Sequence, residues 1–149
     1  MQPCRPSLPD DRALLPTTPF KICPIHVAVR VLGKKWTLLI LRDIALLNIN
    51  RFNQIRRSLP GLTSRVLVMR LHELEEAGFI RAVVVRERPR VVEWELTEKG
   101  NDTIPILMSL LVFSAKWYAD EVFEDHQTRT LDEIYPPTSG CPEDRTAAL

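Results

Sequence analysis

The sequence is poor in the residues that would tie a small fold together chemically. It has three cysteines, an odd number with no C-x-x-C pair, which argues against a disulfide scaffold or a zinc ribbon. Its three histidines, His26, His72 and His126, are scattered without ligand spacing, so neither a metal site nor a cofactor is expected. Gly33-Lys34 resembles the end of a phosphate-binding loop, but the upstream glycine and the following Ser/Thr are missing. No nucleophile–base pair or paired-acid motif stands out, and an enzyme is not expected. The longest apolar stretch, Ile104 to Phe113, falls far short of the roughly 20 residues of a membrane span. The first 25 residues contain no basic region followed by a compact apolar run, which argues against a secretory signal. The expectation is a soluble, cytoplasmic protein of 149 residues built on one core.

What is present is charge, unevenly spread. The net charge is only +1, yet residues 51–90 hold nine arginines, no lysine and four glutamates. Residues 91–149 hold four basic and twelve acidic residues. A basic middle and an acidic end imply one face that meets a polyanion and another that does not.

Proline marks the limits of the fold. Six of the twelve prolines lie in the first 24 residues, and the chain from Gln127 onward has similar character. Residues 1–21 read as a flexible arm, 22–126 as the folded domain and 127–149 as a flexible tail. Within the domain, Ile25, Val29 and Leu32 predict a short helix stopped by Gly33. A second helix is predicted from Lys35 to Leu47, with Trp36, Leu39, Ile40, Ile44 and Leu47 on one face. A third starts near Arg51, buries Phe52, Ile55 and Leu59, and ends at Pro60-Gly61. Thr63 or Ser64 caps a fourth, which turns Leu67, Leu71 and Leu74 inward. Two β-rich segments, Ile80–Arg86 and Val91–Leu96, read as a hairpin. Thr97 then caps a last helix predicted to run to about Phe123, kinked at Pro105.

Two short helices joined by Pro60-Gly61-Leu62 and followed by a basic hairpin form the pattern of a winged helix-turn-helix. An α-helix fits the major groove of B-DNA, and residues near its start reach base edges. With the leucines of the fourth helix turned inward, Thr63, Ser64, Arg65, Val68 and Met69 are the candidate reading residues, and His72 lies on the same face. Arg86, Arg88 and Arg90 suit phosphates or a minor groove at the hairpin. Arg51, Asn53 and Gln54 start the third helix, where free backbone N–H groups also favour an anion. Arg56 and Arg57 read equally well as phosphate contacts or as a solvated face. The fold class expected is mainly α with a small β-hairpin wing, extended by N- and C-terminal dimerisation helices.

The chain resembles the HxlR-type transcriptional regulators, the DUF24 group within the MarR-like winged helices. The residues that carry the resemblance are Cys23-Pro24, GKKWTLLILRDI from Gly33 to Ile44, and RFNQIRRSLPGLTSRVL from Arg51 to Leu67. RLHELEEAGFI from Arg70 to Ile80 and PRVVEWELTEKG from Pro89 to Gly100 continue it. Asn48 and Trp94 depart from the family's usual glycine and tyrosine, and the connection between Leu41 and Arg51 is about one residue longer. The resemblance implies a DNA-binding regulator, read here as a repressor, on double-stranded DNA carrying an inverted repeat. It also implies that Cys23 senses oxidants or electrophiles. A thiolate at a helix start near Lys21, Lys34 or Lys35 would be reactive enough for that. A purely structural Cys23 remains open, with a small-molecule effector instead, as does a winged helix that docks an acidic protein.

The last helix is apolar around much of its circumference, which demands burial on more than one side. Ile104, Leu107, Met108, Leu111, Ala115 and Tyr118 form one stripe, with Leu110, Phe113 and Trp117 beside it. Together with Ile25 and Val29 of the first helix, the first stripe predicts a homodimer interface. Two-fold symmetry would set the reading helices one turn of DNA apart, about 34–36 Å.

Overall fold

The computed structural model describes residues 17–136. Cys4, Cys141, most of the proline-rich arm and the outer part of the C-terminal tail lie outside the described residues. Helix α1 (Pro24–Leu32) opens on a proline, at a position where the missing N–H is no loss. Its end closes where the Gly33 N–H donates to the Val29 carbonyl at 2.9 Å. Helices α2 (Thr37–Leu46), α3 (Phe52–Ser58) and α4 (Ser64–Glu76) follow. The turn into α4 uses Gly61 at φ +87°, a left-handed conformation that favours glycine. Asn48, at φ 53°, fills a second left-handed position with the side chain that best tolerates it.

Strands β1 (Ile80–Glu87) and β2 (Arg90–Leu96) pair antiparallel, from Ile80 opposite Leu96 to Glu87 opposite Arg90, with an irregularity between Val84 and Arg86. The hairpin is longer and tighter than predicted, with only Arg88 and Pro89 in its turn. The Trp94 N–H also donates to the Asn50 carbonyl at 2.8 Å, which ties the connection between α2 and α3 to the edge of β2. The observed architecture is thus mainly helical with a two-stranded wing, as the sequence predicts.

Helix α4 buries Leu67, Leu71 and Leu74 at i, i+4 and i+7, in one core cluster with Ile40, Leu41, Ile44, Ile55 and Leu107. The predicted stripe of α2 needs correction. Its buried face is Thr37, Ile40, Leu41 and Ile44, whereas Leu39 and Leu47 are exposed. Trp36 is not on that face, because it is the N-cap of α2, left-handed at φ 78° and half-buried. Such a conformation costs of order 1–3 kcal/mol in a non-glycine residue and is held by its surroundings. Here the indole packs against the core and reaches Gly61, to which an added Cβ would stand 3.7 Å from the ring.

The buried face of α2 also contains a charge. Asp43 is fully buried, accepts hydrogen bonds from Arg42 (Nη2 at 2.5 Å, Nε at 3.0 Å), and pairs with the Ser58 hydroxyl at the end of α3. Its carbonyl accepts the Ile49 N–H at 2.9 Å. One aspartate therefore holds the ends of α2 and α3 together.

The predicted long last helix is divided. Helices α5 (Glu98–Asn101), α6 (Ile104–Trp117) and α7 (Ala119–Val122) replace it. Pro105 lies in the first turn of α6, where it starts a helix and kinks nothing. The first break, at Asp102 and Thr103, follows a close approach at Gly100 of α5, where a Cβ would lie 2.0 Å from the Phe79 carbonyl oxygen. Thr103 then donates its hydroxyl to the Gly100 carbonyl at 2.6 Å. Leu107 and Ala115 are buried within the chain itself, so neither is on the accessible face of α6. Ile104, Met108 and Leu111 are half-buried and Tyr118 is exposed. Within the predicted tail, helical turn α8 (Leu131–Ile134) is capped where Glu133 accepts from the Thr130 N–H at 2.7 Å.

Replacing Asp43 with alanine leaves the Ser58 hydroxyl and the Arg42 guanidinium without their buried acceptor. Loss of about 1–3 kcal/mol of stability is expected. A melting temperature lower by several degrees in calorimetry would register it.

Candidate nucleic-acid interface

The surface opposite the buried leucines is built on α4. Thr63 caps the helix, its Oγ1 accepting the Val66 N–H at 3.3 Å, which fixes where the first exposed turn begins. Ser64 is held in turn, since Arg56 of α3 donates Nη1 to its Oγ at 2.9 Å. Arg56 thereby joins the two helices of the motif. Arg65, Val68 and Met69 are exposed along one side of α4. Among the described residues Arg65 has no hydrogen-bond or ion-pair partner. The helix is about 20 Å long, enough to enter a groove while its leucines stay in the core. His72 lies one turn further on and approaches Glu76 at 3.6 Å.

The wing supplies the second cationic group. Arg88 and Arg90 are exposed at the hairpin turn without partners among the described residues. The Nε of Arg86 donates to the Pro89 carbonyl at 3.4 Å. Further back the wing charges are neutralised, with Arg81 paired to Glu95 across the strands at 2.8 Å. The free cations are therefore concentrated at the tip.

At the start of α3 the residues are less free than the sequence suggests. Gln54 folds back so that its Oε1 accepts the Arg51 N–H at 3.3 Å. Arg57 donates Nε to the Asn53 carbonyl at 3.1 Å, and Asn53 itself is exposed. Arg51 donates Nε and Nη2 to Oε1 of Glu93 on β2, at 2.8 and 2.6 Å. Glu93 was not among the residues singled out from sequence. Its only sequence signal is the alternation of Glu93 and Glu95 along β2, beside an otherwise arginine-rich stretch.

A second cluster fixes α4 from behind. Arg70 donates Nε to the Lys35 carbonyl at 3.0 Å and Nη1 to Glu73 at 2.6 Å. Lys34 approaches the other Glu73 oxygen at 3.0 Å. The turn between α1 and α2 is thus clipped to the middle of α4. The hydrogen bond from Lys34 lowers the Glu73 pKa below the usual carboxylate range; partial burial opposes this, and Arg70 adds to the lowering.

A helix-turn-helix with an exposed reading helix and an arginine-tipped hairpin defines a winged-helix DNA-binding regulator. The model of the HxlR-like helix-turn-helix family matches residues 31–122, and the chain belongs to that family. It is 44% identical over 92 residues to an HTH-type transcriptional regulator of Methanothermobacter thermautotrophicus, covering 60% of this chain and 67% of that one. Among solved structures, the reduced form of the transcriptional regulator YodB from Bacillus subtilis superposes with a TM-score of 0.54 at 30% identity. That match covers 64% of this chain and 94% of YodB. The redox regulator HypR in its oxidised form gives a TM-score of 0.55 at 31% identity, over 62% of this chain and 94% of HypR. The protein is a transcriptional regulator and not an enzyme.

Because Glu73 is more acidic when folded, its ion pairs stabilise the fold above the unfolded carboxylate pKa and are lost as pH falls through the lowered folded value. Glu73→Gln is expected to destabilise by under about 1 kcal/mol near neutral pH. In urea titrations, the difference from the native protein should close as the solution is made strongly acidic.

Proposed function

We propose that the chain is a homodimeric, sequence-specific repressor acting in the cytoplasm on inverted-repeat DNA. The observation that carries this reading is the division of α4, with Leu67, Leu71 and Leu74 buried and Arg65, Val68 and Met69 exposed, next to a wing tipped by Arg88 and Arg90. Thr63 and Ser64 set the start of that helix, and Asn53, Arg51, Gln54 and Arg86 flank it. Affinity comes mainly from arginine–phosphate contacts, and specificity from the exposed first turns of α4.

The dimer is supported by apolar surface. Helix α1 has no buried residue, and Ile25 is 73% exposed. Val29, Phe113, Trp117 and Tyr118 are also exposed, with Trp117 at 65%. So many large apolar side chains exposed on two helices favour an interaction site. The proposed interface therefore centres on α1 and on the exposed side of α6, with Ile104, Met108 and Leu111 at its edge.

Cys23 is exposed immediately before α1. Its position at the proposed interface, and the likeness to YodB and HypR, support control of DNA binding by oxidation of this thiol. A second reading rests on a groove of about 300 Å³ between α2 and α6, lined by Leu39, Leu47, Leu110, Leu111, Arg42 and Tyr135. A small apolar effector held there would control the regulator with Cys23 playing a structural part.

Selection from a random DNA pool, with reduced and with diamide-treated protein, tests the central reading. The expected product is an inverted repeat with half-sites about one helical turn apart, recovered only with reduced protein. Cys23→Ser should recover the same repeat in both conditions. A repeat indifferent to diamide in the native protein favours the effector groove, and a single half-site refutes the dimer.

Against the selected site, Arg65→Ala should lose about 1–3 kcal/mol of discrimination over random DNA. Arg88→Ala should weaken selected and random duplexes alike and reduce the salt slope by about one. Fluorescence anisotropy over a salt series distinguishes the two.

A further inference from the structure

The cation at the start of α3 is paired in a way that leaves half of it available. Arg51 meets Glu93 side-on, through Nε and Nη2, so that its Nη1 has no partner among the described residues. The Glu93 side chain is 22% exposed and that of Arg51 is 50% exposed, so the carboxylate is the more buried partner. Its second oxygen faces Asn50 Nδ2 at 3.4 Å, and the next residue, Trp94, donates its N–H to the Asn50 carbonyl. Side chain and backbone therefore fix this junction together. Beside it a groove of about 580 Å³ runs between α3 and β2, with Arg51, Asn53, Arg57 and Arg90 in its lining.

Glu93 lines not this groove but the adjoining pocket with Val85, Arg86 and Val91, and Arg51 borders both. A carboxylate this near a bound phosphate repels it, unless its main effect is on a neighbouring cation. We propose that Glu93 is a positioning residue, holding the Arg51 guanidinium so that its free edge, with Arg57 and Arg90, binds one backbone phosphate between α3 and the wing. A guanidinium gripped side-on by one carboxylate keeps its planar fork oriented, and it donates to a phosphate without first losing side-chain freedom. The pair also keeps the wing at a fixed angle to α3, so that both contact the same strand.

This rests on the DNA-binding reading, and the test separates the two. The probe is a fluorescein-labelled random-sequence duplex of about 30 base pairs, long enough for two successive half-sites. No binding by the native protein would overturn the DNA reading and this one with it. Glu93→Gln keeps the shape and removes a negative charge, so bulk electrostatics alone would tighten binding and steepen the salt slope. Positioning demands the opposite sign, a weakening on the order of tenfold with the slope made shallower. In an Arg51→Met background the same change should tighten binding, since only the repulsion is left to remove. Glu93→Asp, which preserves charge but withdraws the carboxylate, should weaken binding as Glu93→Gln does and serves if the latter fails to fold. Unchanged or tighter binding by a folded Glu93 variant in the native background overturns the proposal.

Discussion

The reading surface depends on the burial of one edge of α4. Leu67, Leu71 and Leu74 fill the space between α2 and α3, and each fully buried leucine contributes about 1.5–3 kcal/mol. That contact decides the roll of α4 about its own axis. Once the leucines are in the core, the residues between them have only one direction left, and Arg65, Val68 and Met69 are exposed together. A rotation that moved them would expose the leucines. The position of these exposed side chains is thus held by apolar packing on the far side of the helix.

Polar contacts refine what packing begins. Asp43 joins the ends of α2 and α3, Arg56 joins α3 to the first residue of α4, and Glu73 with Arg70 joins α4 to the turn after α1. Each connects two elements that the core has already brought together. Through Lys34 and Lys35 the turn after α1 is in direct contact with the middle of α4, and Trp36 packs beside Gly61 ahead of that helix. The arginines divide accordingly. Among the described residues Arg65, Arg88 and Arg90 have no internal partner, whereas Arg42, Arg51, Arg56, Arg57 and Arg70 each hold a contact within the motif.

The apolar side chains show a similar division. Along α6, Leu107 and Ala115 complete the chain's own core, whereas Phe113 and Trp117 are exposed. A sequence stripe cannot separate these roles, because both faces of the helix are equally apolar and periodicity reports only that burial is needed. The same limit applied to α2, where the choice between Leu39 and Leu41 depended on where α3 and α4 lie.

By itself the sequence determined the order and type of the elements from α1 to β2, a cap at Thr63 or Ser64, the inward leucines of α4 and the basic hairpin. These follow from local rules: helical period, glycine and proline at turns, and side-chain capping. It did not determine the break after α5, the close approach at Gly100, the left-handed Trp36, the buried Asp43 or the pairing of Arg51 with Glu93. Each of these joins residues far apart in the chain or depends on how closely two backbones approach. In the last case the distance is 42 residues. Which arginines stay free and which are already bound within the fold was decided there, because an ion pair forms only after the core has set both partners within reach.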